Sequence, residues 1–366
     1  MESLLEVKNL KVSYHSYEGE IQSVRGISFT VDFGEIIAIV GDAGCGKSVA
    51  AKSILGLIQK PSGEIKQQSE IWFNGKNILS YTPQQWQALR EKECGLISRE
   101  LFLSLNPDLP VGRQLVERIM AQTRKPKRES CIEAQNLFKL VGVDFPAKRL
   151  KQYPRDFSGT MRQRLMIAFA LICKPKLLIV DEAADVDTKQ MNELLKNLQR
   201  ERKMAVILIT NHILSAFEMV SKILVMHAGK VVEAGDRENV FLHPRHPYTQ
   251  MLISGKEEMP NRTGSMEEKP FQWIDLPKGC SFHNRCGRCI RICTLHEPPV
   301  FEFEDGHTAS CWAVSSSGRG KRYEINKKCR KYPDTFFFIF LYVDAWNVLQ
   351  PVPERLPVFW SRGAVF

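Results

Sequence analysis

The eight residues Gly41-Asp42-Ala43-Gly44-Cys45-Gly46-Lys47-Ser48 match the pattern G-x-x-x-x-G-K-[ST], and they stand between the apolar run Ile36-Ile37-Ala38-Ile39-Val40 and a helix-like segment. In that strand, loop and helix order, successive backbone N–H groups curl around phosphate oxygens. The glycines let the backbone close in, Lys47 reaches the β and γ oxygens, and the Ser48 hydroxyl ligates Mg²⁺. The expectation is a nucleoside triphosphate site spanning Gly41 to Ser48.

The chain has 366 residues, 43% of them hydrophobic, enough for one large domain and an appendage. It contains no apolar run of eighteen residues, so no bilayer-spanning segment is expected. The start Met1-Glu2-Ser3-Leu4-Leu5-Glu6 lacks the basic and apolar stretches of a signal peptide, which points to a cytosolic chain. Ten cysteines in that compartment are read as reduced thiols or metal ligands. The formal charge is +10, but much of it sits in Arg319, Lys321, Arg322, Lys327, Lys328, Arg330 and Lys331. That stretch reads as a solvated linker or a surface facing anionic lipid, and no nucleic-acid partner is expected.

Alternating polarity in Leu5-Glu6-Val7-Lys8-Asn9-Leu10 and Ile27-Ser28-Phe29-Thr30-Val31 predicts antiparallel strands near the start. Helical periodicity dominates from about Pro83 to Arg202, apart from the apolar strand Leu177-Leu178-Ile179-Val180. A further strand, Val206-Ile207-Leu208-Ile209, follows, and the strand-like pieces Ile223-Met226 and Lys230-Glu233 close the large domain near residue 255. Strands alternating with helices predict an α/β fold built on a mainly parallel sheet, with ligands at the carboxyl ends of its strands.

The strand Leu177-Leu178-Ile179-Val180 ends in Asp181-Glu182. There Asp181 is suited to hold the Mg²⁺ shell and Glu182 to polarise an attacking water as the catalytic base.

Between the two phosphate-site elements lies Ser158-Gly159-Thr160-Met161-Arg162-Gln163-Arg164, followed by an apolar helical run. This segment, about twenty residues before the carboxylate strand, resembles the signature segment of ABC-transporter ATPases. The resemblance implies a P-loop fold of ABC type, with an antiparallel β subdomain and a helical subdomain at about 90–170. It also implies that Ser158 and Gly159, at a helix N-terminus, bind the γ-phosphate held by a second ATPase subunit.

Further segments narrow the likeness: Ser104-Leu105-Asn106-Pro107, Val111-Gly112-Arg113-Gln114-Leu115, His246-Pro247-Tyr248-Thr249, and Gly279-Cys280 with Cys286. Together they resemble the oligopeptide/dipeptide-importer branch, over residues from about 4 to 313. That branch implies ATP and Mg²⁺ as ligands, and a homo- or heterodimer of ATPase subunits on the cytoplasmic face of the inner membrane. It also implies two permease subunits and an external peptide-binding protein. The expected organisation is a cassette at 1–255, a Cys-rich segment at 256–315 and a basic, then hydrophobic, tail at 316–366.

Cys280, Cys286, Cys293 and Cys311 are separated by five, six and seventeen residues, with Cys289 nearby. Four thiols in a loop-rich segment suit an iron–sulfur cluster or zinc. The branch resemblance implies a [4Fe–4S] cluster; zinc and unligated thiols stay open beside it.

Three positions depart from the family pattern. Arg99 stands where the family has a Mg²⁺-sensing Gln, Thr160 where it has the signature's second Gly, and Asn211 where it has a His facing the γ-phosphate. His212, next in the chain, takes that catalytic role only if the turn shifts by one residue, and otherwise reads as a surface histidine. Asp187 is expected at the subunit interface. For adenine stacking, Tyr14 is favoured over Tyr17. The leading reading is an ATP-hydrolysing importer subunit, resting on Lys47, Asp181 and Glu182, while the three departures support nucleotide binding better than fast hydrolysis. The alternatives are a mainly nucleotide-binding subunit paired with an active one, and a soluble ABC ATPase not tied to transport.

Overall fold

A computed structural model of the chain describes residues 3–17, 19–98, 102–181, 189–255 and 276–314. Arg99, Glu182, Asp187, the basic stretch after residue 318 and the hydrophobic run from Phe336 lie outside the described residues.

Thirteen strands among the described residues form two sheets. In chain order the first seven are β1 (Ser3–Ser16), β2 (Gly19–Asp32), β3 (Ile36–Val40), β4 (Gly63–Ile65), β5 (Glu70–Phe73), β6 (Lys76–Asn77) and β7 (Cys94–Ser98). The remaining six are β8 (Leu177–Asp181), β9 (Ala205–Thr210), β10 (Lys222–His227), β11 (Lys230–Asp236), β12 (Phe301–Glu302) and β13 (Thr308–Ala309). The smaller sheet is antiparallel, in the order β2-β1-β5-β6 with β4 paired to β1. The larger runs β12-β13-β11-β10-β3-β9-β8-β7, and the block from β10 to β7 is parallel.

Every residue of β3 is buried, as a strand covered on both faces must be. Its side chains alternate between two cores. Ile36, Ala38 and Val40 face one cluster, with Leu115, Phe138, Leu165, Phe169 and Leu198 from the helical side. Ile37 and Ile39 face the other, with Leu5, Val7, Val24 and Phe29 of the antiparallel sheet and Ile54 of the helix Lys47–Ile54. The loop after Val40 therefore leaves the sheet at the seam between the two cores.

The stretch read as helical from Pro83 does form helices at Pro83–Lys92, Val111–Thr123, Lys127–Leu140 and Gly159–Ala170, but β7 interrupts it. Five residues carry too little periodicity to reveal a buried strand, and β7 owes its state to pairing with β8, Gly95 opposite Leu178. Among the described residues no helix is long and apolar enough to cross a membrane.

The C-terminal segment adds to the large sheet, since β13 pairs with β11, Thr308 opposite Ala234. Beneath this pairing Glu233 and His307 are both fully buried, with Nε2 of His307 2.7 Å from Oε1 of Glu233. Glu233 also accepts the backbone N–H groups of Arg245 and His246, at 2.7 and 2.8 Å. Every acceptor oxygen of this buried carboxylate thus has a donor, as burial of a polar group requires.

Candidate nucleotide-binding site

The loop from Gly41 to Lys47 is fixed at both ends by close packing. A Cβ on Gly41 would sit 2.1 Å from the carbonyl oxygen of Met226 in β10. A Cβ on Gly46, whose φ is +104°, would sit 2.2 Å from the carbonyl oxygen of Ser23 in β2. Both distances are far inside contact, so only glycine fits. Gly46 then opens the helix Lys47–Ile54 without a side-chain cap, leaving the first-turn N–H groups without intrahelical partners.

Lys47 is 4% exposed, and its Nζ donates to three oxygens: the carbonyls of Gly41 and Asp42, each at 2.9 Å, and Oδ1 of Asn211 at 2.8 Å. Ser48 Oγ donates to Oδ1 of Asp181 at 2.9 Å. The carboxyl end of β8 thereby meets the start of the helix, and a hydroxyl stands beside a carboxylate. Such hard oxygen donors suit Mg²⁺, which takes few protein ligands and completes its shell from phosphate and water. Cys45 is buried under the loop, and burial pushes its thiol up, against the pull of nearby Lys47. It stays a neutral packing group there.

Asn211, not His212, occupies the place beside Lys47. His212 is exposed, its backbone N–H bonded to Thr210 Oγ1, and it begins the short helix Ile213–Phe217. At the end of β9 it is therefore Asn211 that bonds Lys47. Tyr14 lies on β1, paired with Ile21 and Gly63, and packs against the core of the antiparallel sheet, whereas Tyr17 is fully exposed.

Ser158 and Gly159 begin the helix Gly159–Ala170 with no side-chain cap, and Ser158, Gly159 and Thr160 are all exposed. No atom lies within 4 Å of where a Cβ on Gly159 would be. This helix N-terminus is open to solvent.

Two residues without an assigned role reach the phosphate loop. Tyr248 Oη accepts the backbone N–H of Asp42 at 2.7 Å, and Arg285 Nη1 stands 3.2 Å from Asp42 Oδ2. Tyr248 belongs to the motif His246-Pro247-Tyr248-Thr249, but nothing in that string points back to residue 42. Arg285 carried no sequence signal at all.

The cysteines are gathered near one another. The N–H of Cys280 donates to the carbonyl of Cys293 at 2.7 Å, and that of Cys289 to the carbonyl of Cys286 at 3.2 Å. Burial, with a smaller contribution from neighbouring thiols, pushes Cys293 up to about 11 and Cys311 up to about 12, and raises Cys280 as well. Yet among the described residues no group of three or more His, Cys, Asp or Glu is arranged to hold a metal ion. The iron–sulfur and zinc expectations thus find no support in the arrangement of the described residues. Instead Cys286 joins the larger core, with Cys280 and Cys289 packed against it.

The profile of the ABC transporter family matches residues 24–185, and that of the oligopeptide/dipeptide transporter C-terminal region matches residues 232–293. The oligopeptide transport ATP-binding protein OppD of Bacillus subtilis is 38% identical over 346 residues, covering 91% of this chain and 96% of that protein. The dipeptide transport ATP-binding protein DppD of the same organism is 38% identical over 319 residues, covering 85% and 95%. Among solved structures, the ATP-binding cassette MJ0796, dimeric and bound to ADP and Pi, has the same fold, with a TM-score of 0.57 at 22% identity over 64% of this chain and 98% of that one. A phosphate loop, a carboxylate strand and an open signature helix on this fold, with relatives aligned almost end to end, establish that the chain belongs to the oligopeptide and dipeptide transport ATP-binding proteins of the ABC transporter family.

Proposed function

We propose that this chain is the ATP-hydrolysing subunit of a peptide importer, working on the cytoplasmic face of the inner membrane as one of two paired ATPase subunits. The relatives that align over nearly its whole length are transport ATP-binding proteins, which disfavours a soluble ABC ATPase and a subunit that only binds nucleotide. Two permease subunits and an external peptide-binding protein complete the assembly in this reading.

The observation that carries it is the convergence of Lys47, Ser48 and Asp181 at the seam of the two cores. Lys47 exchanges the carbonyl oxygens of Gly41 and Asp42 for the β and γ oxygens of ATP, a charge-assisted replacement that holds the triphosphate in register. The free N–H groups of the first helical turn add a dipole of the same sign. Ser48 and Asp181 are the residues that would hold Mg²⁺, which when bound supplies neutralising charge to the phosphates. Glu182, next in the chain to Asp181, is assigned as the base that polarises water. Asn211 has one amide oxygen on Lys47 and keeps its NH₂ to donate toward the γ-phosphate. Ser158 and Gly159 are assigned to the nucleotide of the paired subunit, which agrees with their exposure. Adenine stacking is assigned to Tyr14.

The boundary at residue 255 and the ligation of Cys280, Cys286, Cys293 and Cys311 belong to the same reading. The metal assignment rests on the resemblance and on the closeness of the thiols. Metal analysis after purification without oxygen tests it: iron and sulfide in equal amounts support a cluster, and a metal-free chain removes it.

Titration of the chain with a fluorescent ATP analogue tests the nucleotide site. Lys47→Ala is expected to abolish binding, since it removes the cation aimed at the β and γ oxygens. Equal affinity in the variant would falsify the assignment.

A further inference from the structure

Asp42 is out of character with its surroundings. The phosphate loop gathers a lysine and free N–H groups to attract a polyanion, and Asp42 adds a carboxylate to the same loop. It lies close to the binding machinery, for its carbonyl oxygen is 2.9 Å from Lys47 Nζ. An uncompensated negative charge there repels the triphosphate.

Two distant segments close on this residue. Tyr248, fully buried in the helix Pro247–Ser254, accepts the backbone N–H of Asp42. Arg285, from the turn His283–Arg285 in the cysteine segment, pairs with its carboxylate at 3.2 Å. The guanidinium is itself guided: Nη2 lies 3.4 Å from Met251 Sδ, and the group stands 5.8 Å from the ring of Phe282. Phe282 packs in turn on Tyr248 and His227, with centroids 5.3 and 5.5 Å away. The aromatic cluster that anchors the cysteine segment therefore also aims both groups at Asp42.

Stability does not account for the ion pair. Its side chains are 35% and 40% exposed, and ion pairs this wet add little to stability. Its place on the phosphate loop gives it another use.

We propose that Arg285 is a positioning residue of the nucleotide site: it cancels the charge of Asp42 while Tyr248 fixes the same residue's backbone, so that the C-terminal cysteine segment sets the nucleotide affinity of its own cassette. The proposal rests on the assignment of Gly41–Ser48 as the triphosphate site. It needs no metal on the cysteines, only that the segment be folded against the cassette.

The test is equilibrium titration of the full chain with MgATP at low and high salt, for wild type, R285M, D42N and the double variant. R285M is expected to weaken binding about three- to tenfold at low salt, and less at high salt, where screening hides the exposed carboxylate. D42N tightens binding, and adding it to R285M recovers the lost affinity. R285K, which keeps the charge, loses less than R285M. Thermal unfolding without nucleotide shows whether each variant is folded, and Arg285→Gln stands in with the same expectation if R285M is not.

A double variant as weak as R285M overturns the proposal, because the effect then does not pass through the charge of Asp42. So does R285M with wild-type affinity at low salt. In both cases wild-type binding leaves the nucleotide site standing. A wild-type chain that binds no ATP removes that site and this proposal together.

Discussion

Asn211 Oδ1 lies 2.8 Å from Lys47 Nζ, so an amide, not an imidazole, caps the lysine at the end of β9. An amide donates and accepts at once but never carries a charge. Asn211→Ala is expected to lower kcat for ATP hydrolysis by about 10²-fold, the cost of one well-aimed donor, with a smaller change in KM. His212→Ala, which alters an exposed residue, is expected to change kcat less than twofold, about the size of an ordinary surface effect. Steady-state phosphate release from the assembled transporter measures both. A large loss in His212→Ala with none in Asn211→Ala would return the role to the histidine.

Ser48 and Asp181 share one hydrogen bond at the place assigned to Mg²⁺. Asp181→Asn is expected to raise the Mg²⁺ concentration needed for half-maximal hydrolysis about tenfold or more, because a carboxylate is replaced by a neutral, weaker ligand. Nucleotide binding without the cation changes far less. Removing the metal with a chelator should therefore erase most of the difference between variant and wild type in binding.

Acid should loosen the aromatic cluster. Burial holds His227 down at about 4 and His246 down at about 3, whereas in the unfolded chain both titrate near the ordinary value of about 6.5. Between those values the unfolded state binds more protons, so stability is complete above about pH 6.5 and is lost as the pH falls. For His227 alone the loss is on the order of 3 kcal/mol by pH 4. Urea unfolding at a series of pH values measures the slope, and His227→Phe is expected to flatten it.

His307→Phe is expected to destabilise the fold by about 2–4 kcal/mol, because it strips a donor from the buried Glu233 carboxylate and leaves its charge under-satisfied. Glu233→Gln combined with it should recover part of that loss. Differential scanning calorimetry of the single and double variants gives the coupling.

Thiol labelling probes the cysteine segment. With Cys293 held up at about 11 and Cys311 at about 12, each should alkylate at least about a hundredfold more slowly in the native chain than in urea at mildly alkaline pH. Fast native labelling of either would show that the segment is not packed on the core.

What the sequence disclosed follows the range of each interaction. The loop Gly41–Ser48 and the end of β8 at Asp181 are local patterns, readable because chemistry dictates residue type at fixed spacing. The position of Asn211 is legible only through the family resemblance, which sets a γ-phosphate residue at the end of this apolar strand. The hydrogen bond from Asp42 to Tyr248 spans 206 residues and the ion pair to Arg285 spans 243. Neither has periodicity or spacing to betray it, because only the packing of Phe282, Tyr248 and His227 brings the partners together. The cysteines show the converse: a ligand-like count and spacing were plain in the chain, while the fold packs three of the thiols against its core.

The tight ends of the phosphate loop also bound how this protein can vary. Any mutational walk through residues 41–46 is barred at Gly41 by Met226 and at Gly46 by Ser23, one barrier raised by each sheet. Between these gates, a Cβ on Gly44 meets no atom within 4 Å, although its φ of +78° still disfavours side chains. Innovation is left to Asp42, Ala43 and Cys45, and of these Asp42 is the one whose side chain is tied to the far end of the polypeptide.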